Sequence, residues 1–158
     1  MTDPNNQPGG PNLVLTAKSA NKVQFFDAAT LAKTAELDMP ASTHEMVRSP
    51  EGAKIYASVY GGGIFGKNKD PDRRIAVIDL AEKHLERLID VGDDVAPHSL
   101  MIDAAGTLWS SAELGQAVLA IEPATTGSSA FRSAAPRIGS PSAMRPASSM
   151  PRSRPRTR

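Results

Sequence analysis

The sequence predicts an all-β protein built as a partial β-propeller, and three observations carry that prediction. The stretch His44-Glu-Met-Val-Arg-Ser-Pro-Glu-Gly52 reads like His98-Ser-Leu-Met-Ile-Asp-Ala-Ala-Gly106, 54 residues later. Leu13–Val23 aligns without a gap onto Leu108–Val118, 95 residues later. Three apolar runs end in an acid: Val23-Gln-Phe-Phe-Asp27, Ile75-Ala-Val-Ile-Asp79 and Val118-Leu-Ala-Ile-Glu122. Self-similarity at this spacing is the mark of an array, and four short antiparallel strands in about 40–45 residues make one propeller blade.

The elements follow in order. Residues 1–12 read as a flexible N-terminus. A blade's first strand is His44–Arg48 or His98–Ile102, followed by the turn Ser49–Gly52 or Asp103–Gly106, whose glycine suits a positive φ. The second strand is Lys54–Ser58 or Thr107–Ser111. The third is the run ending in acid, whose carboxylate can bond the turn after it. The fourth lies around Ala35–Met39 or Arg87–Val91. Residues 13–39 thus give second, third and fourth strands, 44–91 a complete blade, and 98–122 three strands without a convincing fourth. The incomplete propeller spans 13–123, about two and a half blades, and open blade edges predict self-association.

These residues resemble the YVTN-type (YncE-like) propeller repeats. The resemblance rests on His44–Gly52 with Lys54-Ile-Tyr-Ala-Ser58, on Ile75–Leu80, and on Pro97-His98-Ser-Leu100 with Gly106-Thr-Leu-Trp109. It implies a seven-bladed ring, of which this chain holds fewer than three blades. It also implies a non-enzymatic binding or scaffold module, here a fragment of a longer propeller. The alternative is a metal-dependent hydrolase resembling lactonases or gluconolactonase-like propellers, inactive as truncated.

From Ala124 to Arg158 the composition changes. This segment has seven Arg, eight Ser, six Ala and five Pro, and no Asp, Glu or Lys. The near-neutral total of +1 therefore hides an acidic body and a basic tail. So few large apolar residues cannot offset the chain entropy, which predicts disorder over 124–158. One reading of the tail is polyanion or nucleic-acid binding; the other is out-of-frame translation. There is no Cys, which excludes disulfides and thiolate chemistry. No run reaches the ~18–20 apolar residues of a membrane span, and the N-terminus has no secretory pattern as written. The expectation is a cytoplasmic protein, or an exported one if an upstream leader was lost. It needs no cofactor, and its partner is an unidentified small ligand or protein.

His44 and His98 hold equivalent positions at the start of innermost strands. With Glu45 they are the channel-facing candidates, because imidazole and carboxylate bind metals or move protons. The architectural reading makes each His a repeat residue bonding a neighbouring blade. Between its second and third strands the complete blade carries an insertion with Gly61-Gly-Gly-Ile-Phe-Gly66 and the anion-binding candidates Lys67, Lys69, Arg73 and Arg74. The glycine spacing matches a dinucleotide fingerprint only literally, since a strand follows where a helix is required. A solvated hairpin extension is the plainer reading. The acid pairs Asp70/Asp72 and Asp93/Asp94 lack the spacing of a Ca²⁺ loop. Tyr56 and Trp109 read as inter-sheet core.

Overall fold

The structure, a computed structural model, describes residues 12–93, 96–124 and 128–132. Its strands are β1 (Asn12–Ala17), β2 (Lys22–Asp27), β3 (Lys33–Asp38), β4 (Thr43–Arg48), β5 (Lys54–Gly62), β6 (Asp70–Asp79), β7 (His84–Asp90), β8 (Pro97–Ile102), β9 (Leu108–Ala112), β10 (Ala117–Ile121) and β11 (Ser128–Arg132). They form three antiparallel sheets in the orders β1-β2-β3, β4-β5-β6-β7 and β8-β9-β10-β11. This is a partial β-propeller of one three-stranded and two four-stranded blades. Among the described residues no helix is long and apolar enough to cross a membrane.

The turns show why these residues end their strands. The Asp27 carboxylate accepts from the amides of Ala29 and Thr30 and from the Thr30 hydroxyl. The Asp79 carboxylate accepts from the amides of Ala81 and Glu82. Gly52 and Gly106 close the turns between first and second strands at φ +78° and +89°, the left-handed region where glycine pays no Cβ penalty.

Two apolar layers join the blades. Val23 and Phe25 of the first blade pack with Ile55, Ala57, Val59, Ala76 and Ile78 of the second. Tyr56, Ile75, Val77 and Ile89 on the second blade's other face pack with Leu100, Leu108, Leu119 and Ile121 of the third. Strand β6 therefore feeds both layers, and its run Ile75–Ile78 is buried at every position. Strand β10 is buried only at alternate positions, leaving Val118 exposed. Tyr56 is core, as its place in the repeat predicts. Trp109, its equivalent on the third blade, is only half-buried, and its indole N–H donates to Asp103 at 2.9 Å.

One sequence expectation is corrected. The third blade does have a fourth strand, β11, in the segment predicted to lie outside the propeller. It pairs with β10 so that Ala117 faces Arg132 and Ile121 faces Ser128. The Ser/Ala composition concealed it, because β-propensity says little where backbone pairing to an existing edge is available. The remainder of the Arg-rich tail, residues 133–158, and residues 1–11 lie outside the described residues.

Candidate functional site at the axial end of the inner strands

Both inner strands carry the same irregularity at the same place. On β4, His44 and Glu45 together stand opposite Ser58, between the pairs Thr43–Val59 and Met46–Ala57. On β8, His98 and Ser99 stand opposite Ser111, between Pro97–Ala112 and Leu100–Ser110. Each is a two-against-one β-bulge, a device that re-aims side chains. The serine supplies the ladder partner that the bulge removes. The amide of Glu45 donates to Ser58 Oγ at 3.0 Å, and the amide of Ser99 donates to Ser111 Oγ at 3.1 Å. Ser58 also donates across the blade boundary to the carbonyl of His98 at 2.9 Å. One buried hydroxyl thus ties the two bulges together.

The result is a close pair of imidazoles. The His44 and His98 rings lie 4.0 Å apart between centroids, inclined at 36°. Glu45 Oε1 sits 4.0 Å from His98 Nδ1, while Glu45 Oε2 accepts from the amide of Leu100 at 3.3 Å. One ligand atom from each of His44, Glu45 and His98 lies within 4.8 Å of the other two. His44 Nδ1 is buried with no hydrogen-bond partner. Burial, then the neighbouring His98 and Lys18, push the His44 pKa down, which favours the neutral imidazole at physiological pH.

A second layer surrounds this pair, made of residues the sequence reading did not single out. Lys18 and Glu113 directly follow β1 and β9, Tyr60 lies two residues before the end of β5, and the three are equivalent in the repeat. Lys18 matches Glu113 at the 95-residue offset, and Tyr60 stands two residues past Ser58 as Glu113 does past Ser111. That equivalence was the available signal, and it was hidden because the three residue types differ. The Tyr60 hydroxyl donates to Glu113 Oε2, and the Gly66 amide donates to Glu113 Oε1 at 2.6 Å. Lys18 Nζ lies 5.1 Å from the Tyr60 ring centroid. The Tyr60 ring stands 5.4 Å from both imidazoles. Burial and the Glu113 carboxylate raise the Tyr60 pKa to about 12, so it stays a hydrogen-bond donor at neutral pH. Phe65, in the insertion, comes within 5.6 Å of His98 and is itself 70% exposed.

The insertion is a long hairpin, with Gly62 opposite Asp70. Its glycines serve close backbone approach. A Cβ on Gly61 would lie 2.2 Å from the Asp70 carbonyl oxygen. Strand β6 follows, with no helix to hold a pyrophosphate. Of the anion-binding candidates, Arg74 forms a two-point pair with Asp72, and Arg73 pairs with Asp90 at 3.0 Å. Lys67 and Lys69 are exposed in the hairpin turn. Asp94, one of the paired acids, lies outside the described residues.

No protein-family profile matches the chain, and no curated protein matches it in sequence. Solved structures do. The chain superposes on hydrazine synthase from Kuenenia stuttgartiensis with a TM-score of 0.61 at 24% identity, covering 78% of this chain and 33% of that one. It also matches virginiamycin B lyase from Staphylococcus aureus. A catalytically inactive histidine-to-alanine variant of that lyase, crystallised with quinupristin, gives a TM-score of 0.64 at 16% identity, covering 82% of this chain and 40% of the other. The selenomethionine form gives 0.60 at 14% identity, covering 82% and 43%. These are propeller-type proteins, and the likeness shows the fold alone. The chain spans less than half the length of each.

Proposed function

We propose that this chain is the ligand-binding segment of a β-propeller, taking a small molecule at the axial mouth formed by His44, His98, Glu45, Tyr60, Glu113 and Lys18. The carrying observation is the contrast between two kinds of repeat position. Positions that build the blades keep their chemistry: Ile55 matches Leu108, and Ser58 matches Ser111. The mouth position near the end of each second strand does not keep it, holding Lys18, Tyr60 and Glu113 in turn. Architecture asks for the same residue in every blade, whereas a single asymmetric ligand asks for different ones. A few convergent polar groups beside the exposed apolar ring of Phe65 suit a small-molecule site. The family-level reading as a YncE-like binding module agrees with this.

The test is a thermal-shift screen of the full chain against small organic acids, lactones and aromatic compounds. At least one compound is expected to raise the melting midpoint of the parent and not that of His98→Ala. A ligand at about 100 times its Kd stabilises by about 2.7 kcal/mol, well within detection. Shifts that are absent, or equal in both proteins, overturn the proposal.

A second reading is a proton-transferring enzyme on the same residues. It is favoured by the depressed pKa of His44 beside His98. The structural neighbour whose histidine-to-alanine variant is inactive adds an analogy. Turnover of a lactone panel, lost in His98→Ala, supports this reading over binding alone.

A further inference from the structure

We propose that His44, His98 and Glu45 form a three-ligand site for a zinc-class divalent cation, with a remaining coordination position for water or a ligand. The inference deepens the reading of the axial mouth as a ligand site and rests on it.

The donor set points to this class of ion. Two imidazoles and one carboxylate are the ligands of open, three-residue zinc sites. Borderline cations such as Zn²⁺ and Co²⁺ prefer imidazole, while Ca²⁺ asks for six to eight oxygens. Glu45 is the only carboxylate in the trio, and Glu113 is already engaged by Tyr60 and Gly66. The three donor atoms are close enough for side-chain rotation to bring them around one ion.

Three further features favour a bound cation over a merely packed imidazole pair. First, His44 Nδ1 is a buried ring nitrogen without a hydrogen-bond partner. Buried polar atoms are nearly always satisfied, and a lone pair facing a cation is satisfied. Second, the free oxygen of Glu45 is held by the Leu100 amide, the kind of outer contact that orients a metal ligand. Third, Ser58 clamps the two bulges that carry all three ligands, so the backbone geometry is set before an ion arrives.

The experiment uses the EDTA-treated full chain, titrated with Zn²⁺ by calorimetry and with Co²⁺ by visible absorption. One ion per chain is expected, with Co²⁺ giving the absorption of a four- or five-coordinate site. His44→Ala and His98→Ala are each expected to weaken binding more than the roughly 10–100-fold that losing an outer-shell contact costs. Because those variants remove ring packing, Glu45→Gln serves as the conservative control. It keeps the acceptor for the Leu100 amide and the side-chain shape, and is expected to bind at least about tenfold more weakly with an unchanged melting profile. Failure to bind overturns the proposal, as does binding that all three variants leave untouched. If small molecules still shift the parent but not His98→Ala while no cation binds, the cation site is wrong and the ligand-site reading stands. If the cation binds through the three residues and no small molecule does, the cation site stands and the ligand-site reading fails.

Discussion

At the scale of single residues, Ser58 joins the two bulges that carry the histidines. Its hydroxyl accepts from the Glu45 amide and donates to the His98 carbonyl, and the residue is fully buried. Ser58→Ala leaves both backbone groups unpaired in an interior where desolvation of one polar group costs about 1–3 kcal/mol. We expect a loss in that range by urea denaturation, together with weaker binding at the mouth, although Ser58 is not itself a candidate ligand. Ser111→Ala removes the equivalent bulge contact, but the Ser111 hydroxyl donates to Ser99 Oγ within its own blade, so a smaller loss is expected. An equal loss in the two variants would mean that the bridge to His98 contributes nothing. Sequence alone marks Ser58 and Ser111 as equivalents. That only the first spans two blades follows from their packing.

At the scale of elements, the turns after the third strands are the most regular feature. Asp27 and Asp79 each gather amides from their own turns, and Asp103, in the turn between β8 and β9, likewise gathers the amides of Ala105 and Thr107 and the indole N–H of Trp109. Those bonds hold all three carboxylates below their ordinary value of 3.8. For an acid with a depressed native pKa, the unfolded chain takes up protons first. The stabilisation is therefore complete above the ordinary carboxylate range and is lost as pH falls through the depressed values. Denaturation midpoints are expected to hold near neutrality and to fall steeply below about pH 4. Asp79→Asn should flatten part of that slope. An identical slope in the variant would assign the acid sensitivity to other groups. These turns are legible in the sequence because the interaction is local: an acid followed two and three residues later by its own donors. The bulges were not legible. They depend on a partner strand, and nothing within His44-Glu-Met-Val-Arg48 announces that two of its residues will share one opposite.

At the scale of the whole molecule, the blades differ in how many neighbours they have. The second blade is covered on both sides, which is why Ile75–Ile78 is apolar throughout. The third blade turns Met101 and Val118, the repeat equivalents of Val47 and Ile75, outward with relative exposures of 69% and 47%. Leu13 and Leu15 are exposed on β1 of the first blade. Equivalent positions are buried or partly buried between blades elsewhere, so these faces have the composition of an interface without a partner among the described residues. The chain is expected to self-associate with rising concentration in sedimentation velocity. Met101→Lys with Val118→Lys is expected to lower the average mass. An unchanged mass in parent and variant across the concentration series would exclude that face as the contact.

The sequence by itself determined the repeat, and with it the all-β class, the strand–turn–strand rhythm, the turn acids and the equivalence of His44 with His98. Each of these is written in short windows whose hydrophobic period and turn chemistry act within about ten residues. Tertiary structure decided the rest. It supplied β11, whose composition carries no strand signal and whose order comes from pairing to β10. It placed the imidazoles 4.0 Å apart through two bulges and one bridging serine on three different strands. It also gathered Lys18, Tyr60 and Glu113, whose unlike side chains concealed their common position. Groups far apart in sequence meet only when the blades pack, and the chemistry at their meeting point belongs to that packing.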